Sequence, residues 1–155
     1  MAFSFAVTDP TGNTANTATV SLYVSPTSAI ITESNMTPGQ SVSGIVYVSN
    51  TGTVDEYWQT TINWSPTGST STAAATRLAD ELHVSVTAGS PTATTTPVFA
   101  GTLYSLIDQP GSPGQPLPLS LGTENVQFAI SLPASATAPY EGIDMGFDIV
   151  FVALS

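Results

Sequence analysis

Apolar residues recur at every second position in one segment after another, and that period belongs to a β-strand with one buried face. Ile143–Leu154 is the longest case, with Met145, Phe147, Ile149, Phe151 and Ala153 on one side. Leu82, Val84 and Val86 alternate in the same way, as do Val126, Phe128, Ile130 and Leu132. The pattern also predicts strands over Thr17–Ser25, Ser41–Asn50, Val54–Trp64 and Val98–Ile107, with a shorter apolar run at Ala29–Ile31. Turn signals separate them, among them Thr37-Pro38-Gly39-Gln40 and Asn50-Thr51-Gly52-Thr53. Asp108–Pro118 carries four Pro and two Gly and is expected to be an extended loop, too Pro-rich for a central strand. Ala73–Glu81 is built from good helix formers and is the one short helix expected. About eight to nine strands, one short helix and no internal repeat predict an all-β chain folded as a jelly-roll β-sandwich.

Composition agrees with strands and excludes several functions. The chain of 155 residues holds 24 Thr and 19 Ser, while charged residues make up 8%, against roughly 25% in an average soluble domain. Threonine is β-branched and fits the solvated face of a sheet. Arg77 is the single Lys or Arg, and the formal net charge is −10. Phosphate recognition needs clustered cations, so a nucleic-acid partner is excluded, and an anionic lipid surface is disfavoured for the same reason. There is no Cys, which removes disulfides, thiol catalysis and zinc–thiolate sites. There is no Lys, which removes Schiff-base chemistry and isopeptide cross-links. No apolar run approaches the roughly 18 residues needed to span a bilayer.

A search for catalytic machinery finds none. His83 is the only histidine. It falls out of phase with Leu82 and Val84 and reads as a surface residue rather than a ligand or base. The carboxylates occur as Asp55-Glu56, as Asp80-Glu81, and as Asp144 with Asp148, whose even spacing places them on one strand face. Solvated or turn-capping roles are expected for all of them, and no Ca²⁺ loop pattern is present. No G-x-x-x-x-G-K-[ST], G-x-G-x-x-G, G-x-S-x-G or H-E-x-x-H motif occurs. The expectation is a protein that is not an enzyme, with no catalytic residues, no metal and no cofactor.

The N-terminus is unusual. Chain ends tend to be polar and frayed. Here Phe3, Phe5 and Val7 alternate with Ala2, Ser4, Ala6 and Thr8 before Asp9-Pro10-Thr11-Gly12 breaks the pattern. Seven residues in strand conformation reach roughly 23 Å, enough to fill one groove in a sheet. Residues 1–12 are therefore expected to be a donor strand and linker, and 13–155 the jelly-roll body. The donor strand would pair with the sheet of a neighbouring subunit. Such a head-to-tail contact does not close and produces a homopolymer. Asn35 and Asn63 head N-x-[ST] sequons and are candidate glycosylation positions. The alternative expectation is a monomeric cell-surface adhesin or carbohydrate-binding jelly roll that stacks sugars on Tyr57, Trp58 and Trp64.

Several segments carry a family resemblance. Asn35-Met36-Thr37-Pro38-Gly39, Gly44 and Val48-Ser49-Asn50-Thr51-Gly52 are similar to the signature of the TasA/camelysin family of biofilm matrix fibre proteins. The start at Ala2-Phe3 resembles that family's mature N-terminus after signal-peptide removal. Leu78-Ala79-Asp80 with the alternating Leu82, Val84 and Val86 is similar to its middle segment, and Tyr140-Glu141-Gly142 before Phe147, Ile149 and Phe151 resembles its last strand. The Ser/Thr-rich, charge-poor composition looks closer to the archaeal bundling pilins of the same group than to its Lys-rich bacterial members. The resemblance implies an extracellular, cell-surface filament subunit (biofilm matrix fibre or bundling pilus) polymerised by donor-strand complementation. It implies Ala2, Phe3, Ser4, Phe5, Ala6, Val7 and Thr8 as the donor strand, copies of the chain as partners, and lateral bundling of filaments. A metallopeptidase label has also been attached to the family; one His and no zinc motif do not supply that chemistry here.

Overall fold

The computed structural model describes residues 17–89 and 96–155. In chain order these form β1 (Leu22–Ser25), β2 (Ser41–Asn50), β3 (Glu56–Pro66), α1 (Thr72–Glu81), β4 (His83–Gly89), β5 (Thr96–Thr102), β6 (Gln115–Leu117), β7 (Thr123–Ser131) and β8 (Met145–Leu154). The strands make two antiparallel sheets, one ordered β1-β2-β7-β4-β5 and one ordered β6-β3-β8. The chain is an all-β sandwich with a single helix among the described residues, as the alternation predicts.

Register puts the alternating apolar residues on the facing sides. Val46 pairs with Val126 and Val84 with Ile130, while Ile62 pairs with Ile149 in the other sheet. Phe151 meets Trp58 of its own sheet edge-on at 5.3 Å and, across to the other sheet, Phe128 edge-on at 6.1 Å. These contacts, with Val48, Val86, Leu103, Leu106 and Leu117, form one continuous buried cluster. Each large side chain buried there contributes about 1.5–3 kcal/mol relative to an exposed one.

The helix closes one end of the sandwich with Ala75 and Ala79, both fully buried. Ser71 caps its N-terminus by accepting the Ala74 N–H at 3.2 Å. Arg77 is exposed on the opposite face of the helix. It is the only Lys or Arg in the chain, so trypsin has one place to cut. Its peptide bond lies in hydrogen-bonded helix, so the folded protein should survive trypsin and the same protein in denaturant should yield two fragments on a gel. Rapid cleavage of the folded form would mean that α1 opens locally.

Some boundaries differ from the sequence expectation. Strand pairing within Thr17–Ser25 is limited to β1, and residues 17–21 instead lie against a turn. The strand expected to reach Ile107 stops at Thr102, where Thr102 and Ser105 cap one another and start a 3-10 turn. Asp108–Pro118 is not all loop, since β6 is a short strand at the sheet edge, where Pro116 is tolerated. Ala29–Ile31 forms no strand; its Ile30 carbonyl crosses β2 so closely that a Cβ on Gly44 would sit 2.5 Å from it.

Candidate functional site

The two edges of the small sheet are treated differently. Beyond β6, the same flank of β3 is covered by an irregular segment. Thr60 and Gln109 exchange backbone hydrogen bonds of 2.7 and 2.9 Å, and the Ile62 N–H donates to the Leu106 carbonyl at 3.0 Å. The other flank of β3 is taken by β8 along its whole length, from Tyr57 opposite Leu154 to Pro66 opposite Met145. The outer edge of β8 pairs with no strand among the described residues. Among the described strands this leaves ten residues of edge, roughly 33 Å long. Such edges are usually shortened, charged or covered.

The order β2-β7-β4-β5 matches one four-stranded sheet of a jelly roll. Among the described residues its companion β6-β3-β8 has three strands and ends at β8, where a jelly roll places its first strand. Core burial is lower on the same side. The inward residues of β8, namely Phe147, Ile149 and Phe151, are only half-buried, as are Leu22 and Val24 on β1. Their counterparts Val126 and Phe128 on central β7 are fully buried. Beside the start of β8 a groove of about 960 Å³ opens between the sheets, lined by Ile31, Met36, Leu78, Leu132, Tyr140 and Phe147.

The chain enters the body at the opposite pole. There residues 17–21 lie on the turn joining β2 to β3, beside the Leu154 end of β8. The groove lies at the Met145 end. The entry point and the groove mouth are thus separated by the length of β8.

The candidate residues fall out as follows. Ala2, Phe3, Ser4, Phe5, Ala6, Val7 and Thr8 lie outside the described residues, as does the 1–12 segment. Asn35 and Asn63 are both exposed, Asn35 in a left-handed turn with φ 61°. His83 is exposed on the outer face of the large sheet, as expected. Among the described residues no group of three or more His, Cys, Asp or Glu side chains could hold a metal. No helix there is long and apolar enough to cross a membrane.

Two expectations are corrected. Tyr57, Trp58 and Trp64 form no stacking patch. Trp58 points inward and is fully buried, while Tyr57 points to the other side of β3. Trp64 is half-buried and leans on Tyr104 with ring centroids 6.1 Å apart. The carboxylates are not all solvated either. Asp55 does cap a turn, accepting the Leu119 N–H at 2.8 Å. Glu56, however, is 1% exposed, and Glu124, which belongs to none of the carboxylate pairs of the sequence, is 3% exposed. One oxygen of Glu124 accepts the Trp58 indole N–H at 2.7 Å and the other the Gln115 amide at 3.2 Å. Burial pushes the Glu124 carboxyl above its ordinary pKa, and those two hydrogen bonds pull the other way. The signal was in the alternation: Glu56 is in phase with Trp58 and Ile62, and Glu124 with Val126 and Phe128.

Comparison with protein-family models finds no match, and comparison with curated proteins finds none either.

Proposed function

We propose that this protein is the structural subunit of an extracellular homopolymeric filament, a matrix fibre or bundling pilus of the kind the resemblance implies. Subunits join by donor-strand complementation. Residues 2–8 of one subunit occupy the place beside β8 of the next, where Phe3, Phe5 and Val7 face the half-buried row of Phe147, Ile149 and Phe151. The observation that carries this reading is the outer β8 edge, which pairs with no strand among the described residues, with its incompletely buried inward side chains. Added strands bind through the ladder and gain specificity from alternate side chains. The separation of chain entry and groove mouth supports it further, because a donor at one pole and an acceptor at the other make a contact that repeats without closing. With Trp58 in the core, the glycan-stacking alternative keeps no support.

The test is the mass of the full chain in solution against a chain lacking residues 1–12, measured by light scattering. Large polymers from the full chain and monomers from the truncated one are expected. Two monomers would overturn the filament reading and place residues 2–8 in their own subunit's sheet.

A further inference from the structure

A hydrogen-bonded device at the entry pole fastens the chain just before β1. Residues 17–21 are fastened to the Thr51-Gly52-Thr53 turn by hydrogen bonds in both directions. The Thr19 N–H donates to Thr53 Oγ1 at 2.9 Å and the Thr53 N–H returns one to the Thr19 carbonyl at 2.9 Å. The Ser21 carbonyl accepts from the Thr51 N–H at 2.8 Å and from the Thr51 hydroxyl at 3.1 Å. Beneath them Glu56 Oε2 accepts the Ser21 N–H at 3.0 Å. Asn50 braces the turn from inside. Its amide donates to the carbonyls of Val54 and Leu117, and its Oδ1 accepts the Gly52 N–H. The approach at Gly52 is close enough that a Cβ there would lie 2.3 Å from the Thr19 carbonyl oxygen.

This fastening fixes a direction. β1 runs antiparallel to β2, with Leu22 opposite Asn50. Followed backward from Leu22, the chain therefore passes beyond the end of β2 and out over the turn, away from the groove of its own subunit. Reach does not forbid self-insertion, since eight linker residues extend roughly 26 Å. Resting on the donor-strand reading, we infer that the Asn50–Glu56 turn is a clamp that aims the arm outward. It thereby directs residues 2–8 to a second copy of the chain rather than to the chain's own β8. Gly52, Thr53 and Glu56 are its positioning residues, and its contribution is preorganisation of the donor.

The experiment uses full-length chains. Gly52→Ala must displace the Thr19 carbonyl while leaving β8 and the groove intact. Alone, it should give about a tenfold lower polymer mass than the parent at equal concentration, because an arm no longer aimed loses its preorganisation. Mixed substoichiometrically with parent chains, it should shorten their filaments, because it accepts a donor strand but seldom passes one on. A merely damaged fold would leave parent filaments at full length. Parent-like polymers from Gly52→Ala overturn the clamp and leave donor-strand polymerisation standing. Failure of the parent itself to polymerise overturns that reading and the clamp with it. Should Gly52→Ala not fold, Thr53→Val removes the acceptor for the Thr19 N–H at nearly constant volume. It should reduce polymer mass in the same direction, and an unchanged mass overturns the clamp.

Discussion

A chain carrying Phe3→Asp and Phe5→Asp together should stay monomeric at concentrations where the parent polymerises, with its circular dichroism unchanged. The argument is one of burial. Each phenylalanine placed against the half-covered row of β8 contributes about 1.5–3 kcal/mol, so losing both removes about 3–6 kcal/mol. At about 1.4 kcal/mol per decade, the contact weakens by roughly two to four orders of magnitude. The carboxylates add a penalty beyond lost burial, because a charge moved among Phe147, Ile149 and Phe151 finds no cation there; Arg77, the chain's single Lys or Arg, is on the exposed face of α1. Fold and assembly are read separately here, because the circular dichroism reports the sandwich, whose buried cluster among the described residues spans 46 to 136, while light scattering reports the polymer. Phe3→Leu with Phe5→Leu is the matched control and should polymerise. Light scattering decides the matter: polymers of parental mass from the double aspartate chain would end the assignment of residues 2–8 as donor.

The parts of this fold that were legible in the sequence are those where two signals coincide. β2 is found to both ends, Ser41 and Asn50, because its apolar run is bracketed by Pro38-Gly39 and Thr51-Gly52. α1 is found within a residue because Ala-rich helix formers follow a Ser/Thr-rich loop. β8 is found because five inward residues keep strict phase. Boundaries set by tertiary contacts were not legible. β5 ends at a capping pair whose partners look like ordinary strand residues, and β6 exists only because β3 offers it an edge. The outer edge of β8 is the clearest case. Alternation says which side of a strand is buried, but not which strands pair, so nothing in Met145–Leu154 marks it as lacking a partner among the described strands. The glycine of the Asn50-Thr51-Gly52 segment likewise reads as a turn former, whereas the Thr19 carbonyl packed against it is the stronger reason for it.

Trp58→Phe should destabilise the sandwich strongly at neutral pH and less so in acid, and the difference comes from Glu124. In the folded protein burial raises the Glu124 pKa, while the hydrogen bonds from Trp58 and Gln115 favour its ionised form. A carboxyl whose folded pKa lies above its unfolded one binds its proton more tightly when folded. Its contribution to stability is therefore complete below the unfolded pKa and is lost as pH rises through the folded one. Removing the indole N–H takes away a bond to the charged form and drives the folded pKa higher still, so the loss deepens with rising pH. A hydrogen bond to a charged group is worth about 1.5–3 kcal/mol, or roughly 3–12 °C in Tm for a chain of this size. In acid the bond is a neutral one, worth about 0.5–1.5 kcal/mol, and what remains is the smaller ring's packing defect, which does not titrate. Adding Glu124→Gln to Trp58→Phe should return most of the neutral-pH loss, because a neutral amide in that position no longer needs the indole donor to offset a buried charge. Thermal unfolding of the parent and the two variants between about pH 3 and pH 8 measures this directly. A Trp58→Phe deficit of equal size across that range would show that Glu124 is not charged beside Trp58, and that the tryptophan acts through volume alone.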